Sequence, residues 1–446
     1  MKYLIKNIAV VNEGKIFYSD LLINNQRIEK MASSINLPAN AEVKEINGEN
    51  LHLLPGFIDD QVHFRDPGLT HKATIASESK AAAAGGITSF MDMPNTIPNT
   101  LTRDLLEEKY QLAAQKSLAN YSFFMGGTNI NLEETLKVDY SKVCCLKIFM
   151  GSSTGDMLVD HQSVLESFFS KTDALIATHC EFDPLIKENQ KRIVEEYGED
   201  IPSYFHPIIR NEEACYKSSS FAVELAKKYN TRLHVLHISS AKELSLFNNK
   251  IPLKEKRITA EACIHHLWFC DEDYKIKNNF IKWNPSIKTA YDRDKIFEAV
   301  LNNTIDVIAT DHAPHTLEEK QLSYLKAPSG GPLVQHSILA MLDFYHDKKI
   351  SLEKIVEKMS HHVADLFKIY KRGYIREGYY ADLVLVNLKK PNTVTKQNIL
   401  YKCGWSPFEG HTFKSSIEKT FVNGHLVYDN GLFDESTLGN RLVFEK

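Results

Sequence analysis

Between Leu54 and Tyr370 the chain alternates short apolar runs, rich in β-branched and aromatic residues, with longer amphipathic stretches. The short runs occupy 57–64, 87–93, 120–126, 143–150, 174–180, 232–238, 258–264 and 305–310. Each has the length and character of a parallel strand buried on both faces. Helical periodicity fills intervals between them, at Thr74–Ala84, Arg103–Ser117, Asn211–Tyr229 and Asp292–Asn302, and follows the last run at Val334–Tyr345. Eight β-then-α units are what a closed parallel barrel requires. A doubly wound sheet also alternates, but its Gly-x-Gly-x-x-Gly fingerprint after a first strand is missing. The pattern predicts a (β/α)8 barrel over 54–372.

The flanks differ. Residues 1–53 and 373–446 carry shorter alternating runs, such as YLIKNIAVVN and ADLVLVNL, broken by Asn and Gly turns. These read as small antiparallel strands. Neither flank alone would bury much apolar area, so one discontinuous β-rich domain assembled from both is expected.

The chain has 446 residues, 43% hydrophobic and 25% charged, ordinary for a protein able to bury a full core. A net charge of -4 gives no general attraction to nucleic acid or to an anionic membrane. Seven scattered cysteines without a CxxC pair suit reduced thiols, and no run is apolar enough to span a bilayer. A cytoplasmic protein acting on a small molecule is expected, and a homo-oligomer is expected from the size class.

Polar residues fall where apolar strands should tolerate none. The first run ends in Asp59-Asp60-Gln61-Val62-His63-Phe64-Arg65; Lys147, His179, His237 and Asp311 sit in or just after later runs. Such groups cost several kcal/mol each to bury unless paired or metal-bound. In a barrel the C-terminal strand ends converge on one mouth, so these residues point to one site. Imidazole and carboxylate together suit a borderline divalent ion, zinc first, with manganese and iron as alternatives. Arg65 has the geometry to fork onto a carboxylate.

The segments PGFIDDQVHFRDPG, GGITSFMDMPNT, LKIFMGSSTG, THCE, HVLHIS and ATDHAPH, in this order, resemble the dihydroorotases of the amidohydrolase superfamily. The resemblance implies one or two zinc ions, with Lys147 carboxylated to a bridging carbamate. His179 and His237 would serve one metal, His63 and Asp311 the other. It further implies that Asn95 and His315 assist Arg65 on a substrate carboxylate, that Asn284 contacts the ring amide, and that the loop around Gly330 approaches the ring through its backbone. Asp311 would be the catalytic residue, taking a proton from the attacking water and passing it to the leaving nitrogen. The reaction expected is interconversion of N-carbamoyl-L-aspartate and dihydroorotate.

Gln61 stands where relatives carry the first histidine of a His-x-His pair, and an amide oxygen is the weaker ligand. Two alternatives stay open: a related hydrolase for a hydantoin, dihydrouracil or allantoin ring, and, with Gln61 as its motive, a non-catalytic barrel supporting a partner enzyme. His234 reads as a core histidine facing away from His237 by strand alternation. His265 and His266 read as supporting residues, and His361 and His362 as surface or packing residues of a helix beyond the barrel.

Overall fold

In a computed structural model describing residues 2–38, 40–151 and 157–445, all eight apolar runs form parallel strands. They are β1 (Phe57–Val62), β2 (Ile87–Asp92), β3 (Asn120–Phe123, continued by Met125–Gly126), β4 (Leu146–Phe149), β5 (Ile176–His179), β6 (Leu233–Val235), β7 (Ile258–Cys263) and β8 (Val307–Ala309). The first half of β3 pairs with β2 and the second half with β4, so the ladder passes through this strand in two steps. No regular ladder joins β8 to β1. The seam is held by a parallel bridge at Val62 and His312, by His63 N–H donating to His312 O at 2.7 Å, and by Thr310 Oγ1 donating to Asp59 Oδ2 at 2.6 Å. Asp59 is thus committed, as an acceptor, to closing the ring.

Helix boundaries follow local chemistry. Thr74 caps Ile75–Ala84 by accepting from Ser77 N–H, and Asn211 caps Glu212–Tyr229 by accepting from Ala214 N–H. Asn230 ends the latter helix in the left-handed conformation. The short helix His362–Phe367 covers the N-terminal mouth of the barrel, with Val363, Ala364 and Phe367 packed among Ile58, Leu175 and Val307.

A second sheet draws on both flanks. Lys2–Asn12 forms a hairpin with Lys15–Asn24 and pairs in parallel with His52–Pro55. His52–Pro55 in turn pairs antiparallel with Leu383–Asn387, beyond which lie Ser416–Val422 and His425–Asp429. Tyr3, Ile5, Ile23, Leu53, Leu385 and Phe421 share one core, each fully or nearly buried. At about 1.5–3 kcal/mol per buried side chain, such residues make the two flanks one unit. His361 clasps this unit to the barrel: it accepts from Glu13 N–H at 3.0 Å and donates to Gly373 O at 2.6 Å. It packs and is not a surface residue, being 5% exposed. All seven cysteines are buried free thiols, and no helix of the described residues is long and apolar enough to cross a membrane.

Candidate active site

One cavity of about 200 Å³ opens at the C-terminal strand ends, with room for a single small ring. Its lining includes every residue singled out from the sequence: His63, Arg65, Asn95, Lys147, His179, His237, Asn284, Asp311, His315 and Gly330, together with Gln61. The end of the segment LKIFMGSSTG, residues 152–155, lies outside the described residues.

Two pairs of donor atoms are set for a cation. His63 Nδ1 lies 2.8 Å from Asn95 Oδ1, an atom that only accepts, so the proton is on Nδ1. His63 Nε2 therefore presents a lone pair, 3.2 Å from Asp311 Oδ1. Glu181 fixes His179 in the same way, accepting at 3.0 Å from Nε2–H. That leaves the lone pair of His179 Nδ1 facing His237 Nε2 at 3.0 Å. Ligand atoms around a tetrahedral zinc stand about 3.3 Å apart, given bonds of about 2.0–2.2 Å. The donor set fits a divalent metal: the lone pairs of His63 Nε2 and His179 Nδ1 each face a second ligand residue in a buried pocket.

Lys147 is 1% exposed within the same pocket. Burial lowers its ammonium to about 8, against the opposing pull of Asp311 and Glu261. A neutral amine is thus accessible for carboxylation. Burial also pushes the Asp311 carboxyl up to about 7, although Lys147, His179 and Arg65 pull the other way. Gln61 offers no lone pair to this group. Its amide Nε2 donates to Asp311 Oδ1 at 3.2 Å, so it steadies the carboxylate.

Across the cavity lies a cationic corner. Lys72 Nζ donates to His315 Nδ1 at 3.0 Å, which places the histidine proton on Nε2, where Ser329 O accepts it at 3.0 Å. Arg65 Nη2 stands 3.1 Å from that same Nε2. Two N–H donors converge, an arrangement that attracts an anion. Gly330 sits beside them with φ of 126°, and a Cβ there would fall 2.4 Å from Ala313 O. Lys320 Nζ, buried, holds the loop by donating to Gly330 O at 2.7 Å and Pro328 O at 2.9 Å. Asn284 Oδ1 is buried on the cavity wall with no hydrogen-bond partner.

Backbone strain concentrates here. Arg65, His237 and Asp311 all adopt positive φ, at 64°, 40° and 47°. Each costs about 1–3 kcal/mol, which the surrounding bonds must over-determine. The turn at His237 also corrects the reading of His234. Both imidazoles lie inside the barrel, because His234 Nε2 approaches Asp60 Oδ2 of β1 at 3.3 Å, and β1 and β6 are not neighbours in the ring. His265 stacks on Trp283 with centroids 4.5 Å apart, and His266 Nε2 bonds Pro285 O at 3.1 Å, so both brace the wall.

Glu181, Arg210, Lys72 and Lys320 were not singled out from the sequence. Glu181 alone carried a signal: it follows His179 by two residues, on the same face of the strand end.

The chain belongs to the amidohydrolase family, whose profile matches residues 52–427, and it is a hydrolase acting on a cyclic amide. Among curated relatives it is similar to the dihydroorotase of Methanosphaera stadtmanae, 31% identical over 93% of this chain and 94% of the relative. The dihydroorotase of Pyrococcus abyssi is 31% identical over 97% and 96%. Among solved structures it resembles the L-hydantoinase of Arthrobacter aurescens, with a TM-score of 0.90, 25% identity and 97% coverage of both chains. The dihydropyrimidinase of Brevibacillus agri, at a TM-score of 0.89, 23% identity and full coverage of both, shares the fold.

Proposed function

We propose that this protein is a dihydroorotase, closing N-carbamoyl-L-aspartate to dihydroorotate and reopening it, as pyrimidine biosynthesis requires. The observation that carries this reading is the convergence of Arg65 Nη2 and His315 Nε2–H, 3.1 Å apart. A hydantoin or dihydrouracil ring has no carboxylate and would leave the buried Arg65 Nη2–H without an acceptor, a cost of about 1–3 kcal/mol. Relatives named dihydroorotase at about 30% identity support the same substrate.

His63, His179, His237, Asp311 and Lys147 as its carbamate are the residues that would hold the metal, zinc by donor type. When bound, such an ion polarises the scissile carbonyl and lowers the pKa of water. The chain itself does the rest. Arg65, His315 and Asn95 fix the ring carboxylate, and Asn284 meets the ring amide. Asp311 takes a proton from the attacking water as the C–O bond forms, then delivers it to the ring nitrogen as the C–N bond breaks. Its elevated pKa of about 7 suits a group that must do both near neutrality.

The test is a substrate comparison with zinc-loaded protein. Interconversion of dihydroorotate and carbamoyl aspartate is expected, with hydantoin and dihydrouracil inert. Ring opening of hydantoin without turnover of dihydroorotate would reassign the site to a neutral-ring hydrolase.

A further inference from the structure

Below the cavity, inside the barrel, Asp60 of β1, His234 of β6 and Glu261 of β7 form a cluster with no solvent exposure. One ligand atom from each lies within 4.8 Å of the others. Both oxygens of Asp60, Nε2 of His234 and Oε2 of Glu261 have no hydrogen-bond partner. Buried polar atoms are normally satisfied, and four orphans in one cluster need a cause.

Neighbouring bonds fix the chemistry of each. Thr259 Oγ1 donates its hydrogen to Leu233 O at 3.2 Å, so it accepts at 2.9 Å from His234 Nδ1–H. His234 Nε2 is left to face the two carboxylates, 3.3 Å from Asp60 Oδ2 and 3.7 Å from Glu261 Oε2. Glu261 Oε1 is already engaged, accepting from His237 N–H at 2.9 Å and Cys263 S–H at 3.2 Å. Only Oε2 is free to serve the cluster.

From this geometry we propose that Asp60, His234 and Glu261 form a second, structural site for a divalent cation of the zinc class, on the barrel axis beneath the catalytic centre. Four donor atoms are at hand when Asp60 binds through both oxygens, enough for a closed site. A proton on His234 Nε2 is the simpler occupant, but charge-assisted N–H···O bonds run about 2.7–2.9 Å. Both observed separations are longer, and the 3.3 Å between His234 Nε2 and Asp60 Oδ2 matches the spacing of ligand atoms around one metal. Charge is compatible with the metal too: two carboxylates and a neutral imidazole balance a dication.

Glu261 links this site to the one above. Its two oxygens grip the proposed cation and the strained backbone at His237, so the lower ion would hold an upper ligand in place.

Anomalous diffraction from wild-type crystals, recorded on both sides of the zinc absorption edge after growth with zinc, reads the two sites separately. A peak enclosed by Asp60, His234 and Glu261 is expected, in addition to any at His179 and His237. A map whose density at the cluster is empty, with a peak above it, overturns the proposal and leaves the catalytic assignment intact. Metal analysis of zinc-loaded, chelator-washed protein gives a second readout. Asp60→Asn should lose about one zinc equivalent relative to wild type, and equal zinc content in both argues for a protonated His234 instead.

Discussion

Glu181 receives a two-pronged ion pair from Arg210 on one side and the Nε2–H of His179 on the other, all buried. Burial alone would raise its carboxyl, but Arg210 and His179 overcome this and hold it below the usual carboxylate range. The carboxylate therefore stays ionised and keeps the His179 lone pair turned into the cavity. Replacing Glu181 by Gln should lower zinc affinity about 10–100-fold, as loss of such a partner does elsewhere. Chelator competition measures it; unchanged affinity would show that His179 is oriented by packing alone.

Arg65 should dominate substrate choice. Arg65→Met is expected to cost about 2–5 kcal/mol in kcat/KM for dihydroorotate, from losing one side of a buried charge pair. Steady-state kinetics with dihydroorotate and an uncharged ring on the same protein separate this from a general loss of activity. Equal losses on both would remove the argument for a carboxylate clamp.

Lys72 should act through His315, because its bond to Nδ1 sets the tautomer. Lys72→Met is expected to raise KM about tenfold, about 1.4 kcal/mol, with kcat nearly unchanged. Nitrogen NMR of His315 supplies a check that a merely structural role would not move. The proton should leave Nε2 in the variant.

Lys147 gives a pH signature. Carboxylation needs the free amine, and burial brings its pKa down to about 8. For metal-stripped, decarboxylated protein at fixed dissolved carbon dioxide, recovery of activity on adding zinc should speed up with pH. It should level off above about 8, where the amine is mostly neutral. A rate still climbing toward pH 10 would indicate an ordinary exposed lysine.

Much of this was legible in the sequence because burial makes polar residues conspicuous. Lys147 between Leu146 and Ile148, and His179 after Ala177 and Thr178, break apolar runs whose order alone implied a barrel. What escaped depended on departures from regular geometry. His234 and His237 share the interior because the chain turns left-handed at His237, which strict alternation does not foresee. Asp60 and Gln61 are consecutive yet both face inward, where the β1–β2 register shifts between Asp59 and Val62. Lys72 and Arg210 act on residues far from them in sequence, and a lysine or arginine reads the same whether solvated or committed.

The pairing of His52–Pro55 with Leu383–Asn387 has a consequence in time. Those strands are separated by the whole barrel, and a ribosome adding about 5–20 residues per second needs on the order of half a minute to bridge them. Until then His52–Pro55 is an open edge on a hydrophobic sheet, the kind of surface that recruits a neighbouring chain. Crowded or slowed synthesis should therefore endanger this protein through its small sheet, well before the barrel that does the chemistry.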